Sequence, residues 1–379
     1  MSDLEKTLAE ALERLGEEGL ARTLDPGEGI DFTSNDYLGL SASPGFKEKI
    51  RRNIDRDTLS APASRLLRGT HPRHLALEKK LAEFKGTEAA LIFATGYQAN
   101  LGLLTALLEP GDRILSDELN HASIIDGIRL SGAQKHIYRH LDSEGLEAEL
   151  ARPHPGGKTL IVTESYFSME GDIAPLEHYA SLAAKYSASL LVDDAHATGI
   201  FGQHRGSGLT EEMGIEGECD AIVSTFGKAL GGFGAFVAGS RVLVDWLINR
   251  SRPFIFTTAT PPLQLAMMEA GLELCAEPAP RARVHALAGR LRDSLAAGGI
   301  NCSSSSGPIV PIVVGGNEAA LEAARALQER GFDVRAVRPP TVAPGSSRLR
   351  ISVHANHSEA DIDRLAAAAL EVLEQETAG

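Results

Sequence analysis

The sequence predicts an α/β protein, with a large domain built on a mostly parallel central sheet and a smaller C-terminal α+β domain. Three observations lead there. Between about 87 and 245, short apolar runs alternate with segments of helical periodicity, the pattern of βαβ units. Most of those runs end in Gly, Ser, Thr, Asp or His, the residues that turn a chain and bind ligands at strand ends. After about 270 the alternation gives way to a longer helix and three strands, and 379 residues at 43% hydrophobic suffice for two cores. The expected division is 1–40, an N-terminal helix and loop; 41–270, the large domain; and 271–379, the small one.

The first 3–22 residues read as an amphipathic helix, with Leu4, Leu8, Leu12 and Leu15 at helical spacing and expected to pack on a neighbour. Asp25-Pro26-Gly27 ends it. Asp31 to Leu40 mixes Asn, Asp, Tyr and Gly, and suits an ordered loop in which Asn35 can both donate and accept. Residues 74–85 carry Leu75, Leu77, Leu81 and Phe84, with Gly86 as the stop of a helix. Ala89–Phe93 is a short strand, followed by Thr95, Gly96 and Tyr97 and then a helix through Leu108. A helix start of this kind is receptive to a phosphate, because its N–H groups and dipole face the anion.

Arg113–Ser116 is the next strand, with His121 at the strand-to-helix junction behind it. Leu160–Glu164 leads into a polar segment containing Ser168, and a helix follows over 176–185. Leu190–Val192 then ends in Asp193 and Asp194, with His196 close behind. A carboxylate buried at a strand end needs a partner. A protonated pyridine nitrogen would serve, and a metal held by Asp193, Asp194 and His196 is the competing reading.

Ala221–Val223 is a strand that runs into Thr225-Phe226-Gly227-Lys228 and a cluster of glycines. A lysine at such a strand end suits a Schiff-base amine, its pKa lowered by burial or neighbouring charge. Taken by itself, the segment fits a solvated loop lysine equally well. Lys228 lies 35 residues after Asp193, enough for one βα unit returning to a neighbouring strand. In the last third, helices are expected over 279–298, 318–330 and 358–375, and strands over 309–314, 332–337 and 348–353. Arg338 and Arg350 could clamp a carboxylate in bidentate fashion.

Net charge is −14, from 37 basic and 51 acidic residues, which argues against a nucleic-acid-binding role. No apolar run is long enough to span a membrane, and the start of the chain lacks the features of a secretory signal. Cys219, Cys275 and Cys302 are scattered, without metal-ligand spacing, and read as reduced, buried thiols of a cytoplasmic protein. The serines of 303–307 read as a short loop.

Six segments in order carry a resemblance: Ser34–Leu40, Gly69–His71, Asn120–Ser123, Phe167–Asp172, Val192–His196 and Thr225–Lys228. Together they resemble the α-oxoamine synthase family of pyridoxal-phosphate (PLP) enzymes, from about residue 31 onward. The resemblance implies the fold-type I PLP-dependent transferase architecture, a homodimer and a decarboxylative condensation of an amino acid with an acyl thioester. It makes Lys228 the Schiff-base lysine, pairs Asp193 with the pyridine nitrogen, sets His196 on the ring hydroxyl oxygen and stacks His121 on the ring. Ser168 and Thr225 would help hold the cofactor, and Gly96 and Tyr97 would lie near its phosphate. Asn35, Arg338 and Thr341 would meet the substrate, and Arg22 the end of the acyl chain. The segment Arg338–Val342 resembles the branch that uses L-alanine and a pimeloyl thioester, carried on coenzyme A or on acyl carrier protein. For a carrier protein, Arg65, Arg68 and Arg73 are the expected basic patch. One departure is Ser60–Arg65, which has fewer glycines than the family's usual segment there and so predicts a stiffer loop.

Overall fold

The computed structural model describes residues 1–377 except 57, 155 and 303. Ser303 of the expected short loop thus lies outside the described residues. In chain order the strands are β1 (Ile30–Asp31), β2 (Ala89–Phe93), β3 (Arg113–Asp117), β4 (Gln134–Tyr138), β5 (Thr159–Glu164) and β6 (Ser189–Asp193). They continue with β7 (Ala221–Thr225), β8 (Ala235–Gly239), β9 (Ile309–Gly315), β10 (Phe332–Asp333), β11 (Ala336–Val337) and β12 (Ser347–Ser352). The chain forms two compact units. One comprises 36–168 and 172–282; the other comprises 1–35, 169–171 and 283–379.

The larger unit holds a seven-stranded sheet in the order β2-β8-β7-β6-β5-β3-β4. The pairs β4/β3, β3/β5, β5/β6 and β6/β7 are parallel, and β8 alone runs antiparallel to both its neighbours. This is the mostly parallel sheet the sequence predicts. Strands β2, β3, β7 and β8 are buried along their whole length, as strands covered on both faces are. Leu91, Phe93, Leu103, Leu104, Ile114, Val162, Leu191, Val223 and Val237 share one buried cluster with the helices that cover this face. Because β5, β6 and β7 run parallel, their C-terminal residues come to one edge of the sheet, where ligands collect.

The smaller unit has an antiparallel sheet in the order β11-β12-β9 and a two-stranded parallel pair, β1 with β10. Leu287, Leu291, Leu295, Ile309, Ile312, Leu349, Ile351 and Leu365 form its buried interior. The expected single strand over 332–337 is two short pieces, because Phe332–Asp333 pairs with β1 while Ala336–Val337 pairs with β12. The first helix, Asp3–Glu17, buries none of its residues; Leu4, Leu8 and Leu12 are 68, 54 and 63% exposed, so the expected packing is not made within the chain.

Candidate active site

Gly96, Tyr97, His121, Asp193, His196, Thr225 and Lys228 all line one cleft of about 170 Å³ in the larger unit, together with Asn100, Ser123 and Glu164. Helix Gly96–Leu107 points its N-terminus into the cleft, capped by Thr95, whose hydroxyl accepts from Gln98 N. A Cβ built on Gly96 would meet only Thr225 Cβ, at 4.0 Å, so the helix start is open to an anion. Lys228 is half-buried just beyond the end of β7. Thr225 Oγ1 donates to Gly234 O (2.8 Å) and accepts from Gly227 N (3.2 Å), which fixes the turn that carries the lysine.

Asp193 ends β6 almost fully buried. Its Oδ2 accepts from Asn100 Nδ2 (2.6 Å) and its Oδ1 from Ala195 N (3.0 Å), donors that stabilise a carboxylate. Asn100 also donates to Ser123 Oγ (3.0 Å), which lies 2.7 Å from His121 Nδ1. One hydrogen-bonded line therefore runs from Asp193 to His121. Desolvation lowers the His121 pKa, with Asp193 opposing and Lys228 adding to the effect, which favours the uncharged ring. His196 Nδ1 lies 2.8 Å from Tyr37 Oη, which sets the orientation of that ring.

Asp194 does different work from its neighbour. It is fully buried, and accepts from Lys85 Nζ (2.8 Å), Ser165 Oγ (2.6 Å), Thr210 Oγ1 (3.2 Å) and Leu209 N (3.2 Å). Gly208, at φ +126°, passes so close that a Cβ there would overlap the Asp194 carboxylate. Asp194 thus braces the strand end that presents Asp193, and its lone pairs are committed to these donors rather than to a metal. Among the described residues, no group of three His, Cys, Asp or Glu side chains is placed to hold one.

Ser168 is buried, and its N–H donates to Glu164 Oε2 (3.3 Å). The other four residues expected at the substrate lie in the smaller unit. Arg338 donates to the carbonyls of Gly19 and Ala21, and Arg22 to Pro339 O (3.4 Å). Burial lowers the Arg338 pKa, and the nearby Arg22 charge lowers it further. Thr341 N donates to Arg338 O (3.1 Å). Asn35 Oδ1 accepts from Arg350 Nη2 (3.0 Å), so of the two arginines weighed as a carboxylate clamp, Arg350 stands beside Asn35.

The expected basic patch is overturned. Arg65 is buried in a bidentate pair with Glu78 (2.8 and 3.1 Å), and Arg73 bonds Glu269 (2.6 Å) and Asn53 (2.9 Å); only Arg68 is exposed. The three cysteines are buried free thiols, and burial raises all three pKa values. Tyr37, Asn100, Ser123 and Glu164 are cleft or support residues that sequence reasoning passes over. For Asn100 the signal exists: it lies four residues after Gly96, on the same face of one helix.

The model of class I and II aminotransferases matches residues 27–368, and the chain belongs to that family. Among curated relatives, an 8-amino-7-oxononanoate synthase from Methylococcus capsulatus is 46% identical over 355 residues, spanning 93% of this chain and 91% of the relative. One from Geobacter sulfurreducens is 44% identical, spanning 96% and 97%. Among solved structures, serine palmitoyltransferase from Sphingomonas wittichii matches with a TM-score of 0.91 at 31% identity, over 100% of this chain and 98% of that one. An 8-amino-7-oxononanoate synthase from Francisella tularensis matches with a TM-score of 0.80 at 29% identity, over 92% and 99%.

Proposed function

We propose that the chain condenses L-alanine with a pimeloyl thioester to give 8-amino-7-oxononanoate, CO2 and the free thiol, the reaction named by its curated relatives and a step of biotin biosynthesis. The observation that carries the reading is the convergence of Lys228, Asp193, His196 and His121 on one cleft that faces a helix N-terminus. These residues fit PLP: an anion-receptive helix start for the phosphate, an amine, two imidazoles and a carboxylate backed by two donors. Bound there, PLP supplies an electron sink for a carbanion at the α-carbon of the amino acid.

The chain's own residues then have separable roles. Lys228 would hold the cofactor, and its amine, when free, would be placed to take the α-proton of the amino acid. Asp193 keeps a proton on the ring nitrogen, because its buried carboxylate has a stabilised charge to pair with it. His196, oriented by Tyr37, serves the ring hydroxyl oxygen. His121 would stack on the ring face. Gly96, Tyr97, Thr225 and Ser168 hold the phosphate end and the ring edge. Asn35, Arg338 and Thr341 receive the amino acid, with Arg350 as a second cation beside Asn35, and Arg22 the far end of the acyl chain.

The finer parts of the reading are a homodimer, a cytoplasmic location and delivery of the acyl group on coenzyme A or on acyl carrier protein. Among the described residues no helix is long and apolar enough to cross a membrane. Borohydride reduction of the PLP-loaded protein tests the site. Peptide mapping should find the pyridoxyl group on Lys228 alone; labelling of another lysine would contradict the assignment.

A further inference from the structure

Glu164 is a buried carboxyl group in the same cleft for which the roles above have no use. It ends β5 only 3% exposed, and it sits opposite Asp193 in the register of β5 and β6. The two carboxyl groups are unequally served. Asp193 accepts from Asn100 Nδ2 at 2.6 Å and Ala195 N at 3.0 Å. Glu164 accepts at Oε2 a long bond from Ser168 N, 3.3 Å, the His121 backbone N–H also favours its charge, and Oε1 is buried without a partner. Two neighbouring carboxylates do not both ionise cheaply, and the charge settles where the donors are.

We infer that Glu164 serves the cleft as a neutral carboxylic acid, leaving Asp193 as the one negative charge for the cofactor ring. The inference rests on the reading of the cleft as a PLP site. The charged and titratable groups that face Glu164 are Asp193 from β6, Lys228 after β7, and His121 and His196 from the loops beside them. Burial raises the Glu164 pKa to about 8; Asp193 adds to the rise and Lys228 opposes it. Glu164 is a positioning residue in this account. It acts by withholding a charge, so that Asp193 and the ring nitrogen form an undiluted pair. Above pH 8 its ionisation adds a second negative charge to the cleft, which favours protonated forms of the bound cofactor.

Glu164→Gln keeps the shape and cannot ionise, so it tests the idea in two ways. Infrared spectra of the cofactor-free protein, wild type minus variant, should show a protonated-carboxyl band at pH 7 that disappears as pH rises through about 8. Absorbance of the PLP-loaded protein, titrated from pH 6 to 10 without substrate, should show a step near pH 8 in the wild type that the variant lacks. Absence of the Glu164-dependent band at pH 7, or identical absorbance titrations in the two proteins, overturns the inference. If the wild type takes up no PLP, the reading of the cleft fails instead, and the infrared result still decides the protonation of Glu164.

Discussion

Lys85 Nζ lies 2.8 Å from Asp194 Oδ2, and neither side chain is exposed to solvent. Thr198 Oγ1 (2.9 Å) and the Ser207 carbonyl complete the ammonium's shell. A fully enclosed pair of this kind is costly to break from one side, because the remaining charge is left in a medium of low dielectric. Lys85→Met is expected to cost about 3–5 kcal/mol of unfolding free energy, read from urea denaturation. Lys85→Met with Asp194→Asn should cost less than the single substitution. A loss below about 1 kcal/mol for Lys85→Met would contradict the bracing role of Asp194.

Two sets of histidines give the stability a pH dependence of opposite sign. Burial alone would lower the His140 pKa, but its bonds to Asp117 and Asp172, both 3.0 Å, raise it to about 10. The cation is therefore worth most below the unfolded value of about 6.5, and its contribution is lost as pH rises through about 10. His140→Gln should flatten the alkaline fall in stability, by on the order of 3 kcal/mol between pH 6 and pH 10.5.

His74 and His357 behave the other way. Burial lowers their pKa values to about 3 and about 4, with Arg65 adding at His74 and His354 at His357. Between these values and about 6.5 the unfolded chain binds more protons, so stability falls as pH drops from 6.5 towards 4. Replacing His357 with Gln should remove part of that acid slope. An unchanged slope would show that His357 stays accessible to protonation in the folded chain.

The Arg65–Glu78 pair separates a structural arginine from a surface one. Arg65→Ala leaves Glu78 without its bidentate partner and should cost about 3 kcal/mol. Arg68→Glu, on exposed backbone nearby, should change stability by less than about 0.5 kcal/mol. Its KM for pimeloyl thioester carried on acyl carrier protein should stay within twofold of wild type, since no three-arginine patch exists for it to disrupt. A large rise in KM would restore that patch as a docking surface.

In the cleft, Lys228→Ala should abolish turnover while leaving the fold intact by circular dichroism. Asp193→Asn keeps the shape and removes the charge, and should lower kcat by at least about 100-fold. Asn100→Ala removes a donor to Asp193 without touching the lysine, and should produce a smaller loss.

The strands β2, β3, β5, β6 and β7 are legible in the sequence because strands covered on both faces read as apolar runs. Two members of the same sheet are not. Gln134–Tyr138 is an edge strand with its residues mostly exposed, so it carries no apolar signal. Ala235–Gly239 follows a run of glycines and reads as a continuation of that loop, yet β2 and β7 pair with it on both sides. At the site, Lys228, Asp193 and His196 are legible from their places after strands. Glu164 is not, since a glutamate ending a strand looks like a solvated terminus until the register sets it against Asp193. Arg65 and Asp194 show the converse: the sequence gives no sign that their charges are consumed by Glu78 and Lys85.

The most direct test of the account is thiol release by the purified, PLP-loaded protein, with L-alanine plus pimeloyl-CoA run beside glycine plus acetyl-CoA. The account predicts turnover with the first pair and little with the second. Preference for glycine and acetyl-CoA would contradict the substrate assignment, and no thiol release from either pair, with the cofactor bound at Lys228, would contradict the reaction itself.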